Sequence, residues 1–265
     1  YRSIACFLLV LTMSLHSRPG RERQMRSNPA SLATSPRRRG APGAVCIVGG
    51  QWRRSVLSVA DRAGLRPTPE RVRETVFDWL AHLFPSMKAL DVLDLFAGTG
   101  ALGIEAASRG AASLDAVDAD PGAAREIEAN LRRLGANDRC HACRSDAFVF
   151  VAGRLAVYDV IFIDPPYALE LQERAIRAAL PALKPNGVLY VEWPKSAASK
   201  ELLAELGLTV VRKGTAGVVV YELLARQNSV PAALAKLPKE KGKKAKIARK
   251  AAERALAAAQ KEPES

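Results

Sequence analysis

Asp164-Pro165-Pro166-Tyr167 closes the apolar run Val160–Ile163 and gathers an acid, two prolines and an aromatic within four residues. Prolines fix φ and carry no N–H, so the stretch turns carbonyls outward with little competition from local pairing. The Asp164 carboxylate and the Pro165 carbonyl form two acceptors, matched to the two hydrogens of an –NH2 group. Tyr167 adds a flat face on which a nucleobase can stack. The alternative is a proline-stiffened surface loop. An acid, prolines and an aromatic at the end of a strand, where open α/β sheets take their ligands, favour chemistry on a base amine.

A second constellation lies upstream. Gly98, Gly100 and Gly103 in DLFAGTGALG spell G-x-G-x-x-G between a strand-like run and a helix. Alone, this pattern is also compatible with a tight βα turn that binds nothing. Two acids add to it. Asp94 closes the strand before the turn, and Asp118 closes the next one about twenty residues on, where a carboxylate can accept from ribose hydroxyls. Both NAD and S-adenosylmethionine carry that ribose. A dinucleotide would set its pyrophosphate at the helix N-terminus, beside Asp94, which is unfavourable. S-adenosylmethionine brings a sulfonium and an ammonium instead, and the pattern favours it, with an NAD-dependent oxidoreductase as the rival.

The surrounding sequence supplies the scaffold. Residues 44–59 read as two short strands about a Gly-Gly turn. In the helix that follows, Thr68 is expected to cap, Pro69 to suit the first turn, and Val72, Val76, Leu80 and Leu83 to form one apolar face. Strand-like runs DVLDLF, SLDAVD, HACRSD, YDVIFID and GVLYVEW then alternate with helices at 100–109 and 121–134, a short one after HACRSD, and further helices at about 168–182 and near 198–206. Apolar strands without alternation suit a sheet covered on both faces, and the repetition predicts one doubly wound α/β sheet. LTVVRKGTAGVVVYELL predicts a closing antiparallel hairpin turning at Lys213–Gly217.

The charge is uneven. The chain of 265 residues carries +13 overall, with +7 in residues 1–45 and +7 in residues 226–265, which leaves −1 between them. We therefore expect a basic, disordered extension over 1–43, a domain over 44–224 that includes the hairpin at 44–60, and a basic Ala/Lys-rich tail over 225–265, solvated or attached to nucleic acid. The apolar run 4–15 is too short to span a bilayer; it is read as lying upstream of a native start, with Met25 a candidate. Cys140 and Cys143 have C-x-x-C spacing without a second pair to complete a zinc site, and are read as reduced thiols. Trp52, Arg53, Arg54, Arg66, Arg71 and Arg73 cluster ahead of the sheet. They are read as an RNA-facing element, since phosphates call for Arg and RNA bases for aromatics. A solvated face, balanced by Asp61, Glu70 and Glu74, is the alternative, as is a role for Arg73 and Glu74 in ordering the cofactor pocket.

On D-P-P-Y, GGQWRRSVLSV, LRPTPERVRETVFDWL and DLFAGTGALGIEAASRG, the chain resembles the RsmD-type 16S rRNA guanine-N2 methyltransferases over roughly residues 45–224. The family more often has Phe where Tyr167 stands, and its pattern does not include the tail. The resemblance implies a Rossmann-like class I methyltransferase with a mostly parallel seven-stranded sheet, a C-terminal antiparallel hairpin and a small N-terminal hairpin and helix. It implies S-adenosylmethionine as cofactor, with Asp94, Phe96, Gly98 and Gly100 at its methionine end, Asp118 at the ribose, and Asp146 with Ala147 near the adenine. Asp146 is equally placed to cap a helix. Asp164, Pro165, Pro166 and Tyr167 would act on the N2 amine of an unpaired or flipped-out guanine, with no need of a metal. The expected setting is cytoplasmic and monomeric, with 16S rRNA in a partly assembled small subunit as partner. An adenine-N6 DNA methyltransferase and a non-catalytic RNA-binding protein are the remaining alternatives.

Overall fold

The structure, a computed structural model, describes residues 44–59, 67–236 and 251. The extension 1–43, Asp61, Arg66 and, Ala251 apart, the tail beyond residue 236 lie outside the described residues. Strands β1 (Ala44–Cys46) and β2 (Val56–Ser58) pair antiparallel, giving the expected hairpin. Then follow α1 (Glu70–Leu83), β3 (Asp91–Asp94), α2 (Ala101–Ser108), β4 (Ser113–Asp118), α3 (Pro121–Arg133), β5 (Cys140–Arg144), α4 (Ala147–Val151) and β6 (Tyr158–Ile163). The chain continues through α5 (Gln172–Ala179), β7 (Leu183–Trp193), α6 (Lys200–Glu205), β8 (Leu208–Ala216), β9 (Val219–Arg226) and α7 (Val230–Lys236).

Strands β3 to β9 form a seven-stranded sheet in the order β5-β4-β3-β6-β7-β9-β8. Neighbours are parallel from β5 to β7, and β9 runs antiparallel to both β7 and β8. Successive side chains of a strand point to opposite faces. On β6, Val160 and Phe162 enter the core shared with α1, α2 and α3, while Ile161 and Ile163 enter the core shared with α4, α5 and α6. Both faces are covered, which is why these strands read as unbroken apolar runs. The order reverses between β3 and β6, where doubly wound sheets open a crevice at their carboxyl ends. Among the described residues, no helix is long and apolar enough to cross a membrane.

Four local expectations change. Thr68 does not cap α1: Pro69 holds the N-cap position without a side-chain bond, and the buried Thr68 offers its carbonyl to Arg73 Nε at 3.2 Å. The helix expected from about 168 begins at Gln172, after a 3₁₀ turn over Tyr167–Leu169. β8 extends to Ala216, so Lys213 lies within the strand opposite Glu222 and the turn shrinks to residues 217–218. The packed domain also runs past residue 225, because β9 reaches Arg226 and α7 buries Pro231 and Ala232, its Val230 N–H donating to Asn186 Oδ1 at 3.1 Å. As for the C-x-x-C pair, spacing by three on β5 sends the thiols to opposite faces of the sheet, Cys140 into one core and Cys143 against the other. Burial pushes the Cys140 thiol up to about 11.

The N-terminal elements are fastened by one side chain. Glu105, on α2, is 0% exposed. Its Oε2 accepts from Val48 N at 2.8 Å and from Arg73 Nη1 at 3.3 Å; its Oε1 accepts from Gly49 N and from Arg109 Nε, both at 2.8 Å. The hairpin, α1 and α2 thus meet on a single carboxylate. Asn130 of α3 adds a reciprocal pair with the Ser58 backbone, at 3.2 and 3.0 Å. Removing one partner of a buried ion pair leaves an uncompensated charge, which costs about 3–5 kcal/mol. Glu105→Ala is therefore expected to lower stability by about that amount in urea denaturation, and to expose the hairpin to proteases first.

Candidate active site

Five acids stand at the carboxyl ends of five adjacent strands. In sheet order they are Asp146 after β5, Asp118 ending β4, Asp94 ending β3, Asp164 after β6, and Glu192 near the end of β7. The fold brings together what the sequence spread over about a hundred residues.

Asp94 is buried under α2, and its Oδ2 accepts from Gly103 N at 2.9 Å, inside the first turn of that helix. A Cβ on Gly103 would come within 2.8 Å of Leu114 Cδ1 and 3.1 Å of Asp94 Oδ2, so Gly103 is a packing position. One N–H of the helix N-terminus that a pyrophosphate would use is thus already held by a carboxylate. Burial, with the charge of Asp118 added, pushes Asp94 up to about 7. The turn itself is made by Gly98 (φ 52°) and Gly100 (φ 73°). Asp118 fixes it from the neighbouring strand: Oδ2 accepts from Gly98 N and Oδ1 from Asp120 N, both at 2.8 Å. Each oxygen keeps a further lone pair for a hydroxyl.

Asp146 caps α4, accepting from Phe148 N at 2.9 Å and Val149 N at 3.0 Å, and remains exposed; Ala147 beside it is buried. Phe96 leans edge-on toward Phe148, ring centroids 6.3 Å apart, and the Arg174 guanidinium lies 3.8 Å from the Phe148 centroid. Gly-loop backbone, flanking acids and these rings form a cradle suited to a ligand with a hydroxylated ring and positive charge, and ill suited to a dianionic one.

Across the switch point, Asp164 is partly open. Burial, then the charges of Glu192 and Asp94, raise its pKa well above the usual carboxylate range. Pro165 is buried and Pro166 exposed. The Pro166 carbonyl is not free, since Leu169 N–H donates to it at 3.1 Å. Tyr167 is 36% exposed, and its hydroxyl donates to Glu192 Oε2 at 3.0 Å. Glu192 escaped the sequence reading; its signal was an acid inside the otherwise apolar VLYVEW.

The basic cluster divides. Arg53, Arg54 and Arg71 are exposed, whereas Arg73 is 1% exposed and turned inward, donating to Cys46 O at 2.8 Å and pairing with Glu105. Arg73 is thus unavailable to RNA: its charge is neutralised inside the fold. Trp52 is half-buried, with the Arg139 guanidinium 5.5 Å from its ring. Gln51 N and Trp52 N bond Ser108 at the far end of α2 from the glycine turn. The loop that carries Arg53 and Arg54 is therefore fastened a helix length, about 12 Å at 1.5 Å per residue, from that turn.

The family model described as Conserved hypothetical protein 95 matches residues 45–225. Ribosomal RNA small subunit methyltransferase D of Escherichia coli (strain K12) is 37% identical over 191 residues, 70% of this chain and 91% of that protein. Its namesake in Haemophilus influenzae is 36% identical over 188 residues, 69% of this chain and 94% of that protein. The solved structure of yhhF from Escherichia coli superposes with a TM-score of 0.60 at 33% identity, covering 69% of this chain and 98% of that one.

The geometry of Asp94 sets a pH dependence. With its folded pKa near 7 and an unfolded value of about 3.9, the folded protein keeps a proton that the unfolded chain has lost between those limits. Stability contributed by this group is complete below about pH 4 and falls as pH rises toward 7. Asp94→Asn is expected to flatten that slope in pH-dependent urea unfolding of the free protein. The difference is on the order of 4 kcal/mol, at about 1.4 kcal/mol per pKa unit.

Proposed function

This chain belongs to the RsmD family of small-subunit rRNA methyltransferases, and from that premise we propose that it methylates the exocyclic N2 amine of a guanine in 16S rRNA, with S-adenosylmethionine as donor. The observation that carries the reading is the position of Asp164 and Pro165 at the switch point, next to a row of acids that suits a cationic cofactor. The Gly98–Gly100 backbone, Asp94 and Phe96 would hold its methionine end, Asp118 its ribose, and Asp146 with Ala147 its adenine. Bound there, S-adenosylmethionine supplies a methyl group made electrophilic by its sulfonium.

The remaining work falls to the chain's own groups. The N2 lone pair of guanine is delocalised into the ring and is a poor nucleophile. Accepting both N–H bonds at the Asp164 carboxylate and the Pro165 carbonyl draws the nitrogen toward tetrahedral geometry and aims its lone pair. The positive charge developing on that nitrogen is stabilised by a carboxylate already in place, a preorganised electrostatic effect. The raised proton affinity of Asp164 suits it to receive the proton that the methylated amine gives up. Tyr167 offers its face to the base, which must leave any duplex to reach it. Arg53, Arg54 and Arg71 hold phosphates farther along the RNA.

Incubation with tritiated S-adenosylmethionine and either small-subunit RNA or duplex DNA tests the reading: label is expected in N2-methylguanosine, and N6-methyladenine in DNA would overturn it. Asp164→Ala is expected to reduce transfer by at least about a hundredfold while calorimetric affinity for the cofactor holds. Unchanged transfer would remove Asp164 from its role. Replacing Arg53 and Arg54 together by Ala should make the slope of log affinity against log salt shallower by about 1.4 on single-stranded RNA, at roughly 0.7 for each phosphate no longer neutralised.

A further inference from the structure

Glu192 is a carboxylate in a strand whose neighbours Val188–Val191 and Trp193 are buried, and it is itself 5% exposed. A carboxylate in such a place must have its oxygens satisfied. Tyr190 donates its hydroxyl to Oε1 at 2.6 Å, and Tyr167 donates its own to Oε2 at 3.0 Å. The two tyrosines differ in setting. Tyr190 is fully buried on the same face of β7, edge-on to Phe162 at 5.8 Å and tilted against Tyr221 at 6.4 Å. Tyr221 in turn stacks on Trp79 of α1 at 5.4 Å. Tyr167, by contrast, stands in the 3₁₀ turn after the two prolines with over a third of its surface open.

We propose that Glu192 is a positioning residue for the reaction: anchored through Tyr190 to the core, it holds the Tyr167 hydroxyl and so fixes the plane of the ring on which the target base stacks. This rests on the reading above, in which Tyr167 receives the base. An exposed tyrosine free to turn would lose rotamer freedom each time a base stacked on it; a clamped one has lost it already, and binding is tighter for that reason. The same carboxylate lies close enough to Asp164 for its charge to raise the proton affinity of that group. On this reading Glu192 acts through two of the residues that receive the base, Tyr167 by a hydrogen bond and Asp164 by its charge.

Steady-state methyl transfer by the full chain, with small-subunit RNA varied, tests this in the wild type, Tyr167→Phe, Glu192→Gln and the double variant. Tyr167→Phe keeps the stacking face and is exposed, so it tests the clamp even where Glu192→Gln fails to fold. Each single variant is expected to raise KM for RNA about tenfold, the scale of one hydrogen bond to a charged group, with a smaller change in kcat and no change in cofactor affinity by calorimetry. The double variant should be no worse than the more impaired single one. Glu192→Gln should also move the acid limb of the pH–rate profile to lower pH, because the like charge beside Asp164 is gone; a purely structural role would leave that limb in place. Wild-type KM in Tyr167→Phe, or additive losses in the double variant, overturns the clamp while the methyltransferase reading stands. A wild type that transfers no methyl group to this RNA overturns the reading, and the clamp with it.

Discussion

The buried carboxylate of Glu105 is the constraint on which the arrangement depends. Four donors from three separate elements converge on its two oxygens: two backbone N–H groups of the hairpin loop, one guanidinium of α1 and one at the end of α2. A buried ion pair is weak evidence for net stability, because desolvation offsets much of the attraction. Its consequence here is geometric. With both oxygens engaged, the hairpin and α1 are held to α2, which packs on the sheet so closely that a Cβ at position 103 would press on Leu114 and Asp94. That packing points the N-terminus of α2 at the carboxyl edge and closes the glycine turn over it.

At that edge the protein concentrates like charge where the fold would be more stable without it. On top of what burial does, Asp118 raises the proton affinity of Asp94, and Glu192 and Asp94 raise that of Asp164. Such a cluster is a stored cost that a cationic ligand relieves, since positive charge among the acids favours their ionised forms. The same surroundings disfavour a pyrophosphate, because the first turn of α2 directs its Gly103 donor at the Asp94 carboxylate.

Much of this was legible in the chain. Strands covered on both faces are unbroken apolar runs, and short connections leave little freedom in how they alternate with helices, so the doubly wound sheet followed from periodicity. Asp94, Asp118 and Asp164 could be singled out because each ends such a run, and strand ends in parallel sheets share an edge. Sequence shows the charge of Arg73 but not its direction; the residue sits one helical turn from Phe77 on the buried side of α1, where only a partner such as Glu105 makes it tolerable. Glu105 was hidden for the converse reason, as one acid in an alanine-rich helix whose four partners come from 4 to 57 residues away.

The sequence by itself determined the candidate groups: which side chains end the strands, which stretch lacks N–H donors, and where glycine permits a turn, since these follow from residue type and local spacing. Tertiary structure alone decided which charges are matched inside the fold and which gather at the carboxyl edge of the sheet. It turned Arg73 inward, set Glu192 between two tyrosines, and drew five acids from five strands into one row. Those outcomes depend on contacts between distant segments in a dry interior, where one unsatisfied polar group costs more than a local preference can supply.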